Sequence, residues 1–431
     1  MLHRNLGISA DNHLTIRGFD TVELAKKYGT PLYVLDTDMV YENCVMYKTL
    51  IEKYFGAGSM PLIASKALSC KEVYRIAAAA GIGTDMVSGG EIYTAYTAGF
   101  PMERAYFHGN NKTDADIRFA LDCGVGCFVV DNNEEIAALE TEATKRNIAV
   151  KVMLRVSPGI DPHTHKAVVT GSVDSKFGVA IETGQALETV KNILACEHLK
   201  LEGLHCHIGS QIFEYEPFAS AADIMIAFIA QIKKETGYAV SALNLGGGFG
   251  VRYVEEDPVY DYEKALADIA ASMERAYAKH GVERLRVYFE PGRSMVAAAG
   301  LTLYTVGSHK TITGYKSYVS IDGGMPDNPR YALYQSKYTC LIANKAGDEK
   351  TDTVTVAGRC CESGDLIQEE APLQPCGRGD ILAVLVTGAY NYSMASNYNR
   401  LPRPAMVGVG KDGDRIIIKR ESFEDLVKND I

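Results

Sequence analysis

A lysine interrupts a short apolar run, Leu62-Ile63-Ala64-Ser65-Lys66-Ala67-Leu68, with small residues on either side. An amine so placed is most simply a solvated strand end. Held and desolvated by its neighbours, the same amine is a nucleophile toward carbonyl groups. Two other stretches carry groups suited to work on it: Glu290-Pro291-Gly292-Arg293 and Cys360-Cys361-Glu362-Ser363-Gly364-Asp365. Glu290 can pair with a buried cation, and Arg293 can grip a carboxylate through two parallel hydrogen bonds. A salt-bridged strand end followed by a Pro-Gly turn accounts for the same residues without chemistry.

Two further motifs have spacing that matters. In Leu245-Gly246-Gly247-Gly248-Phe249-Gly250 the glycines let backbone N–H groups come close to an anion. The third glycine of a G-x-G-x-x-G fingerprint would fall on Val251, so one phosphate fits better than a dinucleotide. A tight turn is the plain alternative. In His205-Cys206-His207-Ile208-Gly209-Ser210-Gln211, strand alternation puts both histidines on one face and Cys206 on the other. A His-x-His pair can bind a divalent metal, which opens the class of metal-dependent hydrolases. No nearby carboxylate or further histidine cluster completes a ligand set in the sequence. Hydrogen-bonded core histidines and a cofactor role compete with the metal.

The elements that must position these residues follow a rhythm. Apolar runs at 62–65, 82–87, 105–108, 127–131, 150–156, 201–207, 242–245 and 286–290 alternate with helix-like segments. Continuously apolar strands, each followed by a helix, predict a parallel sheet covered by helices. Eight such units over about 250 residues predict an eight-stranded (β/α)8 barrel, whose functional residues sit where strands end. Lys66, His108, Arg155, His207, Gly246 and Glu290 all fall there. After Arg293 the runs are short and rich in Val, Ile, Thr and Tyr, and predict an all-β domain that also takes the N-terminal segment. The expected division is 37–293 for the barrel, with 1–36 and 294–431 for the β domain.

Composition bounds the function. A chain of 431 residues with 47% hydrophobic and 23% charged residues is an ordinary globular protein, long enough for two domains. Its net charge of −10 argues against a nucleic-acid or anionic-membrane surface. No run reaches 18 apolar residues. The first 21 residues lack the apolar centre of a signal peptide, so a cytoplasmic location is expected. The 10 cysteines contain no Cys-x-x-Cys pair and read as buried small hydrophobes, with Cys360-Cys361 the exception.

Pyridoxal phosphate requires a lysine for its aldehyde, a phosphate cradle, a partner for its ring nitrogen and a group against its ring face. Lys66, the glycines 246–248, Glu290 and His207 supply these four. The chain resembles the barrel-type pyridoxal-phosphate decarboxylases of basic amino acids over nearly its whole length. The motifs that carry this are Gly29-Thr30-Pro31-Leu32-Tyr33-Val34, Ala64-Ser65-Lys66-Ala67, Asp85-Met86-Val87-Ser88-Gly89-Gly90-Glu91, His108-Gly109-Asn110-Asn111-Lys112, the two motifs of the previous paragraphs, Glu290 to Arg293, Cys361 to Asp365 and Ala389-Tyr390-Asn391.

The resemblance implies that Lys66 holds the cofactor covalently and that His207 lies on its ring. It places Ser210, Gly247, Gly248, Gly292 and Arg293 with the cofactor, helped by Tyr390, and pairs Glu290 with the ring nitrogen. Arg293, Arg330, Tyr334 and Tyr390 are implied to meet substrate, Cys361 to return a proton, and Glu362 to bind a distal amino group. Cys361 and Glu362 are implied to serve the other subunit of a homodimer, and no metal is expected. The members acting on meso-2,6-diaminopimelate, which yields L-lysine and CO2, are the most similar. Two departures stand out: Leu68 where the family often has asparagine, and Tyr331 where it tends to have proline after the arginine. The second lies beside the implied substrate contacts and bears on substrate identity. Ornithine, arginine and carboxynorspermidine are the alternative substrates. A metal-dependent hydrolase and a non-catalytic binding protein are the alternative classes. The insertion 157–178, with His163 and His165, reads either as a lid or as a surface loop.

Overall fold

A computed structural model describes residues 2–160 and 175–431. His163 and His165 lie outside the described residues. Two compact units emerge. One comprises Asn43–Gly250 and Tyr260–Gly292; the other comprises Met1–Glu42, Val251–Val259 and Arg293–Ile431.

The first unit is the expected barrel. Its strands are β1 (Met60–Ala64), β2 (Gly83–Met86), β3 (Ala105–Phe107), β4 (Cys127–Val130), β5 (Val150–Ser157), β6 (Leu199–His205), β7 (Ala242–Asn244) and β8 (Arg286–Phe289). Each pairs in parallel with its neighbour in sequence, and β8 closes on β1 through Tyr288–Met60 and Phe289–Pro61. A buried apolar cluster of Leu62, Tyr106, Cys127, Val129, Met153, Ala242 and Tyr288 joins six of the strands. The remaining two, β2 and β6, bring Gly83 and Gly203 instead. A Cβ on Gly83 would stand 2.4 Å from Leu62 Cδ2, and one on Gly203 would stand 2.4 Å from the Ala242 carbonyl oxygen. The side chains of six strands fill the space only because the other two contribute none there.

Turns after the strands are fixed by helix caps. Ser88 accepts from Glu91 N, while Glu91 Oε2 accepts from Val87 N at 2.7 Å. Asn132 accepts from Glu135 N, and Glu135 Oε2 accepts from Asp131 N. These reciprocal bonds satisfy the first N–H groups of the helices Gly89–Thr97 and Asn133–Arg146 and seat the preceding strand ends.

The second unit is built on a mixed sheet with strand order Leu366–Leu373, Asp352–Ala357, Lys316–Ile321, Gly300–Ile312, Leu32–Asp36, Ala405–Gly410 and Gly413–Ile418. The N-terminal strand Leu32–Asp36 is central, antiparallel to Gly300–Ile312 and parallel to Ala405–Gly410. Two of these strands depart from the Val-, Ile-, Thr- and Tyr-rich pattern expected of this domain. Leu366–Leu373 carries Gln368, Glu369, Glu370 and Pro372 and lies at the sheet edge, where a missing donor is tolerated. Ala405–Gly410 is broken by two glycines that weaken its pattern. Among the described residues no helix is long and apolar enough to cross a membrane.

Candidate active site

The carboxyl ends of the barrel strands bring the expected residues to one mouth. Lys66 lies on a 3-10 turn, Ser65–Ala67, directly after β1. Ser65 fixes that turn: its N–H donates to Asp85 Oδ1 at 3.1 Å and its hydroxyl donates to the Asp85 carbonyl. On the other side, Ala64 N donates to the Pro291 carbonyl at 3.3 Å, so the end of β8 lies against the end of β1. The Lys66 side chain is exposed, whereas the sequence reading expects a desolvated amine. The turn lifts it clear of the apolar strand that precedes it. Asp85, Glu91 and His207 are its charged or titratable surroundings. Burial, with Glu290 facing it, pushes the Asp85 carboxyl up to about 6, and burial pushes Glu91 up to about 7.

Glu290, buried just after β8, is the centre of a polar cluster. Asn244 Nδ2 donates to its Oε1 at 2.7 Å, and His205 Nε2 lies 3.1 Å from its Oε2. His108 Nε2 comes within 3.0 Å of Oε1 without the alignment of a hydrogen bond. Burial alone would raise this carboxyl; the facing histidines more than offset burial and hold it well below the ordinary range. His205 is itself neutral near pH 7, because burial pushes its imidazole down to about 4. The hydrogen-bond donors to Glu290 are thus Asn244 and His205 rather than a cation.

His205 and His207 have different partners. Strand β6 ends at His205, so the alternation that would put both on one face stops before His207. His207 Nδ1 accepts from Gly247 N at 3.2 Å, which ties it to the loop after β7. Burial and the Lys66 charge push its imidazole well below the usual range. That loop requires glycine: a Cβ on Gly247 would stand 2.1 Å from the Glu290 carbonyl oxygen. Gly248 is half-buried beside it, and Ser210 is half-buried after β6. Gly292 packs on the Lys66 turn, where a Cβ would stand 2.7 Å from Ala64 Cβ.

The second unit holds the remaining expected residues. Arg293 is buried and donates to the Tyr253 hydroxyl at 2.8 Å. Its guanidinium lies 4.7 Å from the centre of the Tyr390 ring, and that of Arg330 lies 5.2 Å from the same ring. Arg330 also stacks on Tyr334 at 5.1 Å. Tyr390 adopts φ = 64°, a left-handed conformation unusual for an aromatic residue and characteristic of functional positions. Cys361 and Glu362 are exposed on a turn, with Cys361 N donating to Asn399 Oδ1 at 2.8 Å. Asp365 secures this turn, its two oxygens accepting from Met325 N and Cys360 N.

Sequence reasoning assigns no role to Asp85, Asn244 or His205 beside Glu290, nor to His108. Each is a polar residue in the last positions of an apolar barrel strand or directly after it. That criterion selects Lys66, Glu290 and His108 in the sequence, but it does not say that Asp85, Asn244, His205 and His108 gather around Glu290.

Residues 44–297 match the family model "Pyridoxal-dependent decarboxylase, pyridoxal binding domain". The chain is 45% identical over 433 aligned residues to a diaminopimelate decarboxylase of Bacillus subtilis (strain 168), covering 100% of this chain and 98% of the relative. It is 34% identical to the crystal structure of diaminopimelate decarboxylase from M. jannaschii in complex with L-lysine, with a TM-score of 0.92 over 100% of this chain and 99% of that one. The Helicobacter pylori diaminopimelate decarboxylase complexed with L-lysine is 32% identical, with a TM-score of 0.85 over 95% and 98% of the two chains.

Proposed function

The chain belongs to the pyridoxal-dependent decarboxylase family, and we infer that it removes one carboxylate of meso-2,6-diaminopimelate, giving L-lysine and CO2 as the last step of lysine biosynthesis. It is a carboxy-lyase with pyridoxal 5'-phosphate as cofactor. The observation that carries this reading is the convergence of Lys66, the 246–248 loop and an ionised Glu290 on adjoining strand ends of one barrel.

The residues present fit the cofactor. A carboxylate offers about four lone-pair directions. Three neighbours face those of Glu290; of these, Asn244 carries no charge and burial holds His205 neutral near pH 7. That leaves an anionic acceptor suited to a protonated ring nitrogen. The exposed Lys66 amine suits an aldehyde, and the loop glycines suit a phosphate. When bound, pyridoxal phosphate supplies the electron sink for loss of CO2.

The chain's own residues perform the remaining tasks. Lys66 would hold the cofactor through its side-chain amine. His207 would be the residue against its ring. Ser210, Gly247, Gly248, Gly292 and Arg293 receive the phosphate end, with Tyr390. Glu290 keeps the ring nitrogen protonated. Arg293, Arg330, Tyr334 and Tyr390 hold substrate, with two guanidiniums on one tyrosine ring offering charge to carboxylates. An amino acid lacking a distal carboxylate would leave one of those cations uncompensated, which favours diaminopimelate over ornithine or arginine. Cys361 returns a proton to the carbon that lost CO2, and Glu362 receives the distal amino group. Both act in the site of a partner subunit, so the active form is a homodimer. The barrel unit within the span 37–293 is the cofactor-binding domain, and the protein works in the cytoplasm.

The test is CO2 release from meso-diaminopimelate, ornithine and arginine in parallel, with cofactor absorption recorded. Diaminopimelate should turn over fastest, and Lys66→Ala should lower turnover at least about 10³-fold and abolish the absorption of lysine-bound cofactor. Faster turnover of ornithine would overturn the substrate. An unchanged spectrum in Lys66→Ala would overturn the cofactor anchor.

A further inference from the structure

His108 has no place in the function above, yet it is built into the cluster around Glu290. It is buried, and its ring lies edge-to-face against that of His205 with centroids 4.8 Å apart. Its backbone N–H donates to the Met86 carbonyl at 2.7 Å. The next residue, Gly109, takes φ = 124° and gives its carbonyl to Lys112 Nζ at 2.9 Å. Lys112 also donates to the Val129 carbonyl at 2.7 Å and lies 2.8 Å from Glu135 Oε1, so the loop is tied to β4 and to the helix Asn133–Arg146. This ion pair is fully inside the unit, where its desolvation is expensive. Burial lowers Lys112 and raises Glu135, in keeping with that cost. A buried ion pair that fixes one short loop implies that what the loop carries needs a fixed position.

The cluster shows what that position serves. Gly246 N donates to Asn244 Oδ1 at 2.9 Å, which orients the amide so that its nitrogen faces Glu290 Oε1. The buried Nδ1 of His205 has no partner among the described residues, so its one proton belongs on Nε2, toward Glu290 Oε2. Each carboxylate oxygen thus has one donor. His108 Nε2, 3.0 Å from Oε1, is the third neighbour and blocks the other direction at that oxygen. We propose that His108 is a positioning residue for Glu290: with Asn244 and His205 it closes every approach to the carboxylate but one, on Oε2, and so dictates which oxygen meets the cofactor ring nitrogen. This rests on the reading that Glu290 is the partner of that nitrogen.

The test compares His108→Leu with His108→Gln, whose amide nitrogen can reach where Nε2 stands. His108→Leu should weaken binding of pyridoxal phosphate to the apoprotein about tenfold or more and shift the absorption of the bound cofactor. His108→Gln should restore most of both. A folded His108→Leu protein with unchanged affinity and spectrum overturns the proposal. Equal defects in both variants also overturn it, because a nitrogen placed beside Oε1 would then not be what matters. In a separate arm, ¹⁵N-histidine spectra of apoprotein should show His108 and His205 resonances moving together in Glu290→Gln, and an unmoved His108 overturns the proposal whether or not cofactor binds. If wild-type protein fails to bind pyridoxal phosphate, the function itself is overturned, and the spectra still judge the geometry. His108, His205 and Glu290 also bring their ligand atoms within 4.8 Å of one another. Stoichiometric Zn²⁺ binding to apoprotein that is lost in His108→Leu would make His108 a metal ligand and overturn the positioning role.

Discussion

Two fully buried carboxylates, one in each unit, have opposite protonation behaviour. Glu290 in the barrel is held well below the ordinary carboxylate range despite burial. Asp327 in the β unit is pushed up to about 7, with burial the largest cause and Asp365 and Asp322 adding to it. Both accept hydrogen bonds: Asn244 and His205 donate to Glu290, and the Tyr304 hydroxyl and Gly324 N donate to Asp327. What differs is the charge nearby. Glu290 faces imidazoles and lies near the Arg155 guanidinium, which oppose the like charge of Asp85, whereas Asp327 faces a phenol and two like charges. Hydrogen bonding alone does not keep a buried carboxylate ionised; the sign of the surrounding charge decides. The ionised one sits where the chemistry requires an anion.

The harshest way to break this comparison is Glu290→Gln. The amide keeps the shape and loses the charge, and one end now presents N–H to an N–H donor. Turnover of diaminopimelate should fall about 10²–10³-fold, the scale of removing one preorganised electrostatic group. Its stability should also lose the pH dependence that Glu290 gives. A carboxyl whose folded value is depressed contributes stability above its unfolded value near 4.5, which is lost as pH falls through the folded value. Urea unfolding of wild type and variant between pH 3 and 7 checks this, and parallel curves would mean that Glu290 is not ionised by its surroundings.

Asp327→Asn should act in the opposite direction. The native state holds this proton to about pH 7 while the unfolded chain releases it near 3.8, so stability falls as pH rises between those values and stays low above them. The amide can accept from Gly324 N and donate to the Tyr304 oxygen, so both partners remain satisfied. The variant should be more stable than wild type above pH 7 by up to roughly 4 kcal/mol, since each pH unit between the unfolded and folded values is worth about 1.4 kcal/mol. Urea unfolding across pH 5 to 9 measures the gain, with CO2 release close to wild type. A loss of stability at every pH would show that Asp327 is charged and compensated like Glu290.

The contrast also marks what was legible in the sequence. The barrel could be read because its strands, buried on both faces, are apolar runs that break at polar residues, and Lys66, His207 and Glu290 all lie at such breaks. The β unit was legible as a class but not strand by strand. Edge strand Leu366–Leu373 is half polar, and its register depends on bulges that no alternation shows. The partners of Glu290 were out of reach for another reason. Asn244 and His205 come from the two strands before β8, and His108 follows β3, which only barrel closure brings round to Glu290. The exposure of Lys66 was missed because a single 3-10 turn after β1 decides it, and Ser65-Lys66-Ala67 carries no turn signal.

The finest test removes one donor from each carboxylate. Asn244→Ala deletes a hydrogen bond to an ionised group and should cost about 2 kcal/mol at neutral pH, within the roughly 1.5–3 kcal/mol of charged hydrogen bonds. Tyr304→Phe deletes a bond to a carboxyl that is half protonated near pH 7 and should cost about 1 kcal/mol there, the neutral value. The two should also differ in pH dependence. Glu290 has the same charge from pH 6 to 8, so the Asn244→Ala loss should stay constant over that range. Asp327 ionises within it, so the Tyr304→Phe loss should grow as the phenol comes to donate to a full charge, approaching the Asn244 value by pH 8. Urea titrations of the two variants at pH 6, 7 and 8 separate the cases. A flat Tyr304→Phe loss would place the ionisation of Asp327 outside that window and remove the contrast between the two carboxylates, even if Glu290 behaves as described.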